Sequence, residues 1–248
     1  HSHVNFQSLA SDRAAYRLGD QFDQDVLGYL TGFKQSALHG TPDTVNTTVN
    51  GTVAVSTAGS DELLSSMKID AADFGGSAGD ALALQPRTGG ATDSTPAVGD
   101  TFPLTVIARM SRLLDQQNVD TQGRWLVVDP VFMELLKDED SRLFNADFGG
   151  SGLQNGQIGT NIHGFRVYTS NNLPSVGTGP SFTGTNSSTN YGMIVAGHDS
   201  AVATAEQINK TETYRDPDSF ADIVRGMHLY GRKILRPEAI VTAAYNLA

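Results

Sequence analysis

The stretch from Thr101 to Pro130 constrains this 248-residue chain more than any other. Phe102, Val106, Ile107, Met110, Leu113 and Leu114 recur at helical spacing behind Asp100 and Thr101, either of which suits an N-cap. The pattern predicts an amphipathic helix from Phe102 to about Gln117. A turn through Gly123 then leads into Arg124-Trp-Leu-Val-Val128, an apolar run suited to a buried strand. Asp129-Pro130 restarts a helix through Phe132, Leu135 and Leu136, with proline in its first turn. No catalytic group lies at the centre of this scaffold, which points to a protein whose job is shape.

A chain of this length buries a proper core as one large domain or two modest ones. Its 27 Asp and Glu against 17 Lys and Arg leave a formal charge of -10. Such a surface repels phosphate and disfavours a nucleic-acid binder held by counterion release. Cysteine is absent, which removes disulfide frameworks, Cys-rich zinc sites and thiol nucleophiles together and fits an intracellular protein. No apolar run nears the roughly 20 residues of a membrane helix, and no basic-then-apolar signal segment opens the chain. A soluble protein with no membrane partner is the expectation. The chain opens His1-Ser-His-Val with no Met, as a processed or truncated form would.

From Ser8 to Leu38 the residues are helical in character, with a narrow apolar stripe of Leu9, Tyr16, Phe22, Val26, Leu27 and Leu30. Ser8, or Ser11 with Asp12, suits its N-cap, and a helix this long with so slim a stripe needs a neighbour. Residues 39 to 100 turn rich in Thr, Ser, Asn, Gly and Asp, interrupted by an alternating Val45 to Val55 stretch and a helix candidate at Asp61 to Met67. Such density of turn residues predicts a long loop excursion with a hairpin in it. Beyond the Thr101 to Pro130 scaffold, a Gly-rich loop runs to Gly159 and a strand covers Phe165 to Thr169. Ser175 to Asn190 is low-complexity loop, Tyr191 to Ala196 another strand, and His198-Asp-Ser200 opens a small-residue helix. Gln207 to Arg215 alternates like a strand, whereas Phe220 to Tyr230 fits a helix as well as a long strand, and Pro237 breaks either. Strands and helices mix without regular alternation, so the fold class is α+β.

The motifs that invite chemistry each have a plainer account. Ala72-Asp-Phe-Gly-Gly-Ser77 repeats as Ala146 to Ser151, but the kinase Gly-rich loop, strand lysine and catalytic loop are missing, leaving two Gly turns anchored by Phe74 and Phe148. Gly149 to Gly156 lacks the strand before and the helix after that a dinucleotide loop requires. Of six histidines, His1 and His3 could chelate a metal weakly with the terminus, though an exposed terminal pair is more often incidental, and His39, His163, His198 and His228 show no second ligand at helical spacing. His198-Asp199-Ser200 names a triad, but adjacent residues do not make that geometry; an N-cap accounts better for Asp199. Four glycosylation-like sequons begin at Asn46, Asn50, Asn186 and Asn209 in Asn- and Thr-rich sequence. The Asp138-Glu-Asp140 run sits among Lys137 and Arg142 as a solvated face. No catalytic, metal or cofactor site is expected.

Three segments resemble the major capsid proteins of tailed phages. They are Leu113-Leu-Asp-Gln-Gln-Asn-Val119 with Gly123-Arg-Trp-Leu-Val-Val-Asp-Pro130, Gly164-Phe-Arg-Val-Tyr-Thr-Ser-Asn-Asn-Leu-Pro174, and a closing half of Ala196-Gly-His-Asp-Ser-Ala201, the Gln207 to Arg215 stretch and Val224 to Val241. The resemblance covers Phe102 to the C-terminus and implies the HK-ninety-seven-type capsid fold: a long spine helix, a peripheral domain and an axial domain around a mixed β-sheet. Residues 1–100 would hold the spine helix (about 8–38) and the loop excursion (39–100) of the peripheral domain. Residues 101–195 would form the axial domain, and 196–248 its remaining strands and the return. The family's N-terminal arm and extended loop have almost no counterpart before the helix.

The resemblance also implies a non-enzymatic shell protein that assembles as pentamers and hexamers around double-stranded DNA. Its partners would be itself, scaffolding and portal proteins, and decoration or cement proteins. DNA would be touched only non-specifically, with assembly in the host cytoplasm and residence in the virion. Candidate structural and assembly residues are Arg13, Arg17, Arg124, Trp125, Pro130, Gly164, Pro174, Gly231 and Pro237. Arg124 and Trp125 are expected to pack beneath a capsomer centre. An encapsulin-like compartment shell and a secreted glycan-binding or adhesion module are the competing readings.

Overall fold

Two runs of apolar and small residues, Tyr191-Gly-Met-Ile-Val-Ala-Gly-His198 and Ile240-Val-Thr-Ala-Ala-Tyr-Asn-Leu247, lack the polar alternation of a half-exposed strand and so require cover on both faces. A computed structural model of the chain describes residues 6–32, 63–85, 100–137, 161–176, 179–180, 190–215 and 222–247, and it places these two runs side by side at the centre of a sheet. The helices are α1 (Phe6–Leu30), α2 (Pro103–Gln116) and α3 (Pro130–Leu136). The strands are β1 (Lys68–Ile69), β2 (Leu82–Leu84), β3 (Asp100–Thr101), β4 (Arg124–Val128), β5 (Asn161–Ile162), β6 (Phe165–Thr169), β7 (Ser175–Val176), β8 (Tyr191–His198), β9 (Val202–Arg215), β10 (Asp222–Ile234) and β11 (Ile240–Leu247).

Nine strands form one mixed sheet in the order β3-β2-β11-β8-β4-β6-β5, with β1 also on β11 and β7 also on β8. Antiparallel pairs join β11 to β8 and β8 to β4, while β4 and β6 run parallel. Against this sheet α2 buries Val106, Ile107, Met110 and Leu114, and α3 buries Phe132, Leu135 and Leu136. A smaller cluster gathers Ala81, Tyr191, Met193 and Ala244. The expected α+β class and the helix-strand-helix run from Pro103 to Leu136 are both present. Asp129 caps α3 through its Phe132 N–H bond at 2.9 Å, and Pro130 takes the first helical position, where no N–H is needed.

Several local expectations are corrected. Asp100 and Thr101 do not cap α2; they form β3 beside β2, and the cap position falls to Phe102, whose side chain makes no capping bond. Asp100 instead accepts a 2.7 Å bond from Gln85 Nε2, a partner invisible to local pattern. Ser8 and Ser11 lie inside α1, which ends at Leu30; Gly32 has a positive φ, and the Thr31 hydroxyl donates back to Leu27 and Gly28 carbonyls. Residues 33–38 of the expected helix lie outside the described residues, as do Val45 to Val55, the Gly149 to Gly156 loop and the 146–151 hexapeptide. Of the expected Asp61 to Met67 helix, residues 61–62 lie outside the described residues and the rest holds a single 3-10 turn at Ser65–Met67. His198 to Ser200 open no helix but a turn into β9, which starts at Val202 rather than Gln207. The ambiguous Phe220 to Tyr230 stretch is strand from Asp222 onward. Pro237 does break the chain, in a 3-10 turn before β11.

Gly197 shows how tightly this sheet is packed. A Cβ there would lie 2.8 Å from the Trp125 ring and 3.0 Å from the Ala239 carbonyl oxygen, so neither the indole nor the backbone can ignore it. Gly197→Ala is expected to destabilise by about 2 kcal/mol through overpacking. Thermal unfolding against the parent chain checks this, and an unchanged midpoint would contradict it.

Candidate functional site

Outside the nine-stranded sheet, β9 and β10 make a separate two-stranded ribbon, paired from Val202 with Ile234 to Arg215 with Asp222, with an irregularity at Leu229/Tyr230. Such a ribbon is marginal in water until something covers a face, and α1 covers one. From Gly226 to Ile234, every second residue of β10 meets the helix. Gly226 lies under Leu18, and the rings of His228 and Tyr230 pack on Phe22 at 5.3 and 4.7 Å between centroids. Tyr230 donates a 2.8 Å bond to Asp25, which also pairs with Arg232. The Arg232 guanidinium sits 4.8 Å from the Tyr29 ring centroid, and Ile234 N–H donates to the Tyr29 hydroxyl at 3.3 Å.

Charge is thus placed inside the helix–ribbon joint. Burial pushes the Tyr230 hydroxyl up and the Arg232 guanidinium down from their ordinary values. His228, 6% exposed at its side chain, contacts Glu206 across the ribbon at 2.5 Å. On the opposite ribbon face, hydrogen bonds from Lys210 and then Arg225 hold the Glu212 carboxyl below the usual carboxylate range. The narrow stripe of α1 has found its neighbour within the chain, and its last turn, Tyr29 and Leu30, enters the main core.

Arg13 and Arg17 are exposed on α1 and line an open cleft of about 620 Å³ with Tyr16, Asp20, Gln24 and residues 169–172. Asn172 closes its floor, donating to Asp20 at 2.8 Å and accepting from Gln24 at 3.4 Å, while Arg17 pairs with Asp20 at 3.3 Å. Arg124 is 2% exposed and holds the 118–123 turn: it donates to the carbonyls of Val119 at 2.6 Å and Asp120 at 2.8 Å, and to Asp115 at 2.7 Å. Trp125, half-buried, lies over Gly197. Pro130 is exposed at the start of α3 and Pro174 is buried before β7. Gly164 follows His163 in the two-residue turn between β5 and β6, where both have positive φ, the requirement of a tight hairpin. Gly231 lies on β10 in open space, and Pro237 in the turn before β11. The structure brings Arg13 and Arg17 to one cleft, whereas Arg124 and Trp125 alternate along β4, and the nine residues share no single site.

The chemistry-like motifs stay structural. His198 Nε2–H donates to the Gln122 carbonyl at 2.8 Å, leaving Nδ1 to accept from Ser200, while Asp199 turns away to Arg166 at 2.9 Å. Asp199 is therefore an ion-pair partner, not an N-cap. Asp70 and Asp73 form a capping box at the first Asp-Phe-Gly turn, and Arg109 stacks on Phe74 at 5.2 Å. Among the described residues no three His, Asp or Glu side chains gather as a metal site, and no helix is long and apolar enough to cross a membrane.

Asp129 is a carboxyl whose titration its place in the fold alters. Burial raises its carboxyl, against the lowering effect of bonds from the Tyr245 hydroxyl and the Phe132 N–H. A carboxyl whose folded pKa exceeds its unfolded one contributes stability that is full below the unfolded value and lost as pH rises through the folded one. Asp129→Asn keeps an acceptor oxygen and removes the desolvated charge. Its stability relative to the parent chain is expected to improve as pH rises from below the ordinary 3.8 toward neutrality. Urea midpoints across that range check it; a constant gap would contradict it.

Comparison with known proteins places this architecture. The model of the family described as phage capsid protein matches residues 5–243. The capsid structure of the Cyanophage P-SCSP1u is similar over 100% of this chain and 68% of that chain, at 18% identity and a TM-score of 0.59, a likeness of fold. A chain of Mycobacterium phage Che8 is 34% identical over 66% of this chain and 53% of its own, with a TM-score of 0.48. The mature capsid of bacteriophage PhiM1 gives 20% identity over 69% and 52%, with a TM-score of 0.47. This chain therefore spans about half the length of the Che8 and PhiM1 chains. No curated protein matches it. With a family match running almost end to end, and a likeness of fold to a capsid structure over the whole chain, the chain belongs to the phage capsid protein family.

Proposed function

We propose that this chain is the structural subunit of a phage shell, self-assembling through pentameric and hexameric rings into an icosahedral capsid around double-stranded DNA, and carrying no catalysis. The family match over residues 5–243 carries this reading. In it, α1 is the spine helix, 25 residues and about 38 Å long, within the peripheral part (1–100). Residues 101–195 build the axial domain and 196–248 supply its remaining strands and the return. Scaffolding, portal and decoration proteins are its partners, assembly occurs in the host cytoplasm, and the shell is part of the virion. The net charge of -10 lets packaged DNA lie near the wall without adhering. No observation favours an encapsulin-like compartment or a glycan-binding module.

Light scattering and sedimentation of the purified chain, alone and co-expressed with its scaffolding partner, test this. The expected result is a population far heavier than the 26.4 kDa monomer. A chain that stays monomeric in every condition would overturn it.

A further inference from the structure

The α1–ribbon layer is one helix on two strands, and each of its outer faces presents large apolar side chains. On α1, Leu9, Asp12, Tyr16, Gly19 and Asp23 recur at helical spacing as one exposed stripe, with Leu9 46% and Tyr16 73% exposed. Arg13 and Arg17 leave that stripe for the cleft beside residues 169–172, so its charges are the two carboxylates. On the ribbon, the residues that alternate with the helix-facing row point away. They include Tyr214, Met227 and Leu229, 42%, 55% and 49% exposed. Lys210 and Arg225, each 65% exposed, stand in the same row about Glu212, which they share, so this face carries a net positive charge in a chain of net charge -10.

We infer that these two faces meet between copies: the outer stripe of α1 on one chain lies on the outer face of the β9–β10 ribbon of the next. The inference rests on the shell reading above and specifies where its subunits join. Several observations select a second copy as the occupant. Each chain carries both faces; both hold large apolar side chains, and the helix stripe with its Asp12 and Asp23 carboxylates is opposite in charge to the ribbon face of Lys210 and Arg225. A ribbon this long, whose outward Tyr214, Met227 and Leu229 are exposed and uncovered among the described residues, offers apolar surface for association, and a helix on that face would repeat the packing that α1 already makes on the other. Because the two patches differ, the contact runs head to tail, and copies joined this way close into rings when the rotation allows.

A mixing experiment separates this from other contacts. In Met227→Glu/Leu229→Glu the ribbon face is blocked and the helix face intact; in Leu9→Glu/Tyr16→Glu the reverse holds. All four residues are exposed, and circular dichroism matching the parent chain confirms the fold; should glutamate disturb it, serine at the same positions serves. Each variant alone is expected to sediment as a monomer, and the two mixed one to one as a dimer and nothing larger, since only one joint remains. If the parent assembles and either variant assembles equally well, or if the mixture stays monomeric, the inference is overturned while the shell reading stands. A parent chain that never assembles overturns both.

Discussion

Arg124→Met is expected to cost the fold about 3 kcal/mol. Methionine fills the aliphatic part of the site but donates nothing, and the Val119 carbonyl loses its buried donor while Asp120 loses a second one. Leaving a buried acceptor unmet costs about 1–3 kcal/mol, and bonds to a charged donor are the stronger kind. The ion pair itself is the smaller part, because Asp115 is 56% exposed at its side chain. Asp115→Asn should therefore cost no more than about 1 kcal/mol. The comparison decides whether Arg124 acts as a charge partner or as a clamp on the 118–123 turn, where Asn118 holds a positive φ of 54°. Urea unfolding of both variants reads it, and equal losses would contradict the clamp.

Tyr245→Ala carries the largest expected effect, about 3–5 kcal/mol from the cavity alone. Tyr245 is fully buried on β11, and its ring meets Phe132 of α3 edge-on at 5.4 Å between centroids. Its hydroxyl donates to Asp129, and burial followed by the Asp129 charge pushes that hydroxyl well above the ordinary tyrosine value. One side chain thus fastens α3 to the central sheet by shape and by a bond. Tyr245→Phe separates the two, keeping the ring and losing the bond for about 1–3 kcal/mol. Thermal or urea unfolding of both variants checks the order. If phenylalanine were as damaging as alanine, the hydroxyl and not the packing would be the dominant link.

These two residues also show how far local pattern carried. The α2, β4 and α3 run was legible because each signal is local: an apolar period in α2, a continuous apolar strand, and an Asp-Pro start to α3. Arg124 reads as a packing residue from the sequence, but its buried acceptors are the Val119 and Asp120 carbonyls, which have no letter in the sequence. Asp100 and Thr101 misled because β2 competes for them over a gap no window spans. The long ribbon was half legible. Its helix-facing row is Gly226, His228, Tyr230 and Arg232, while its outward row holds Met227 and Leu229, so hydrophobicity does not alternate with the side that is covered. An alternation of aromatic with apolar residues over 227–230 was the available signal. Arg13 and Arg17 were named singly; the cleft they line depends on Asn172, 152 residues from its partner Asp20.

Cryo-electron microscopy of particles recovered from cells expressing this chain, with and without the scaffolding protein proposed as its partner, is the sharpest test of its role as a shell subunit. The expected result is closed shells with five- and six-fold rings, each subunit fitted by the nine-stranded sheet and by the ribbon with α1 packed on one face. Absence of shells from cells in which the chain is abundant and folded, or particles whose density accommodates neither the sheet nor the helix-backed ribbon, would contradict it.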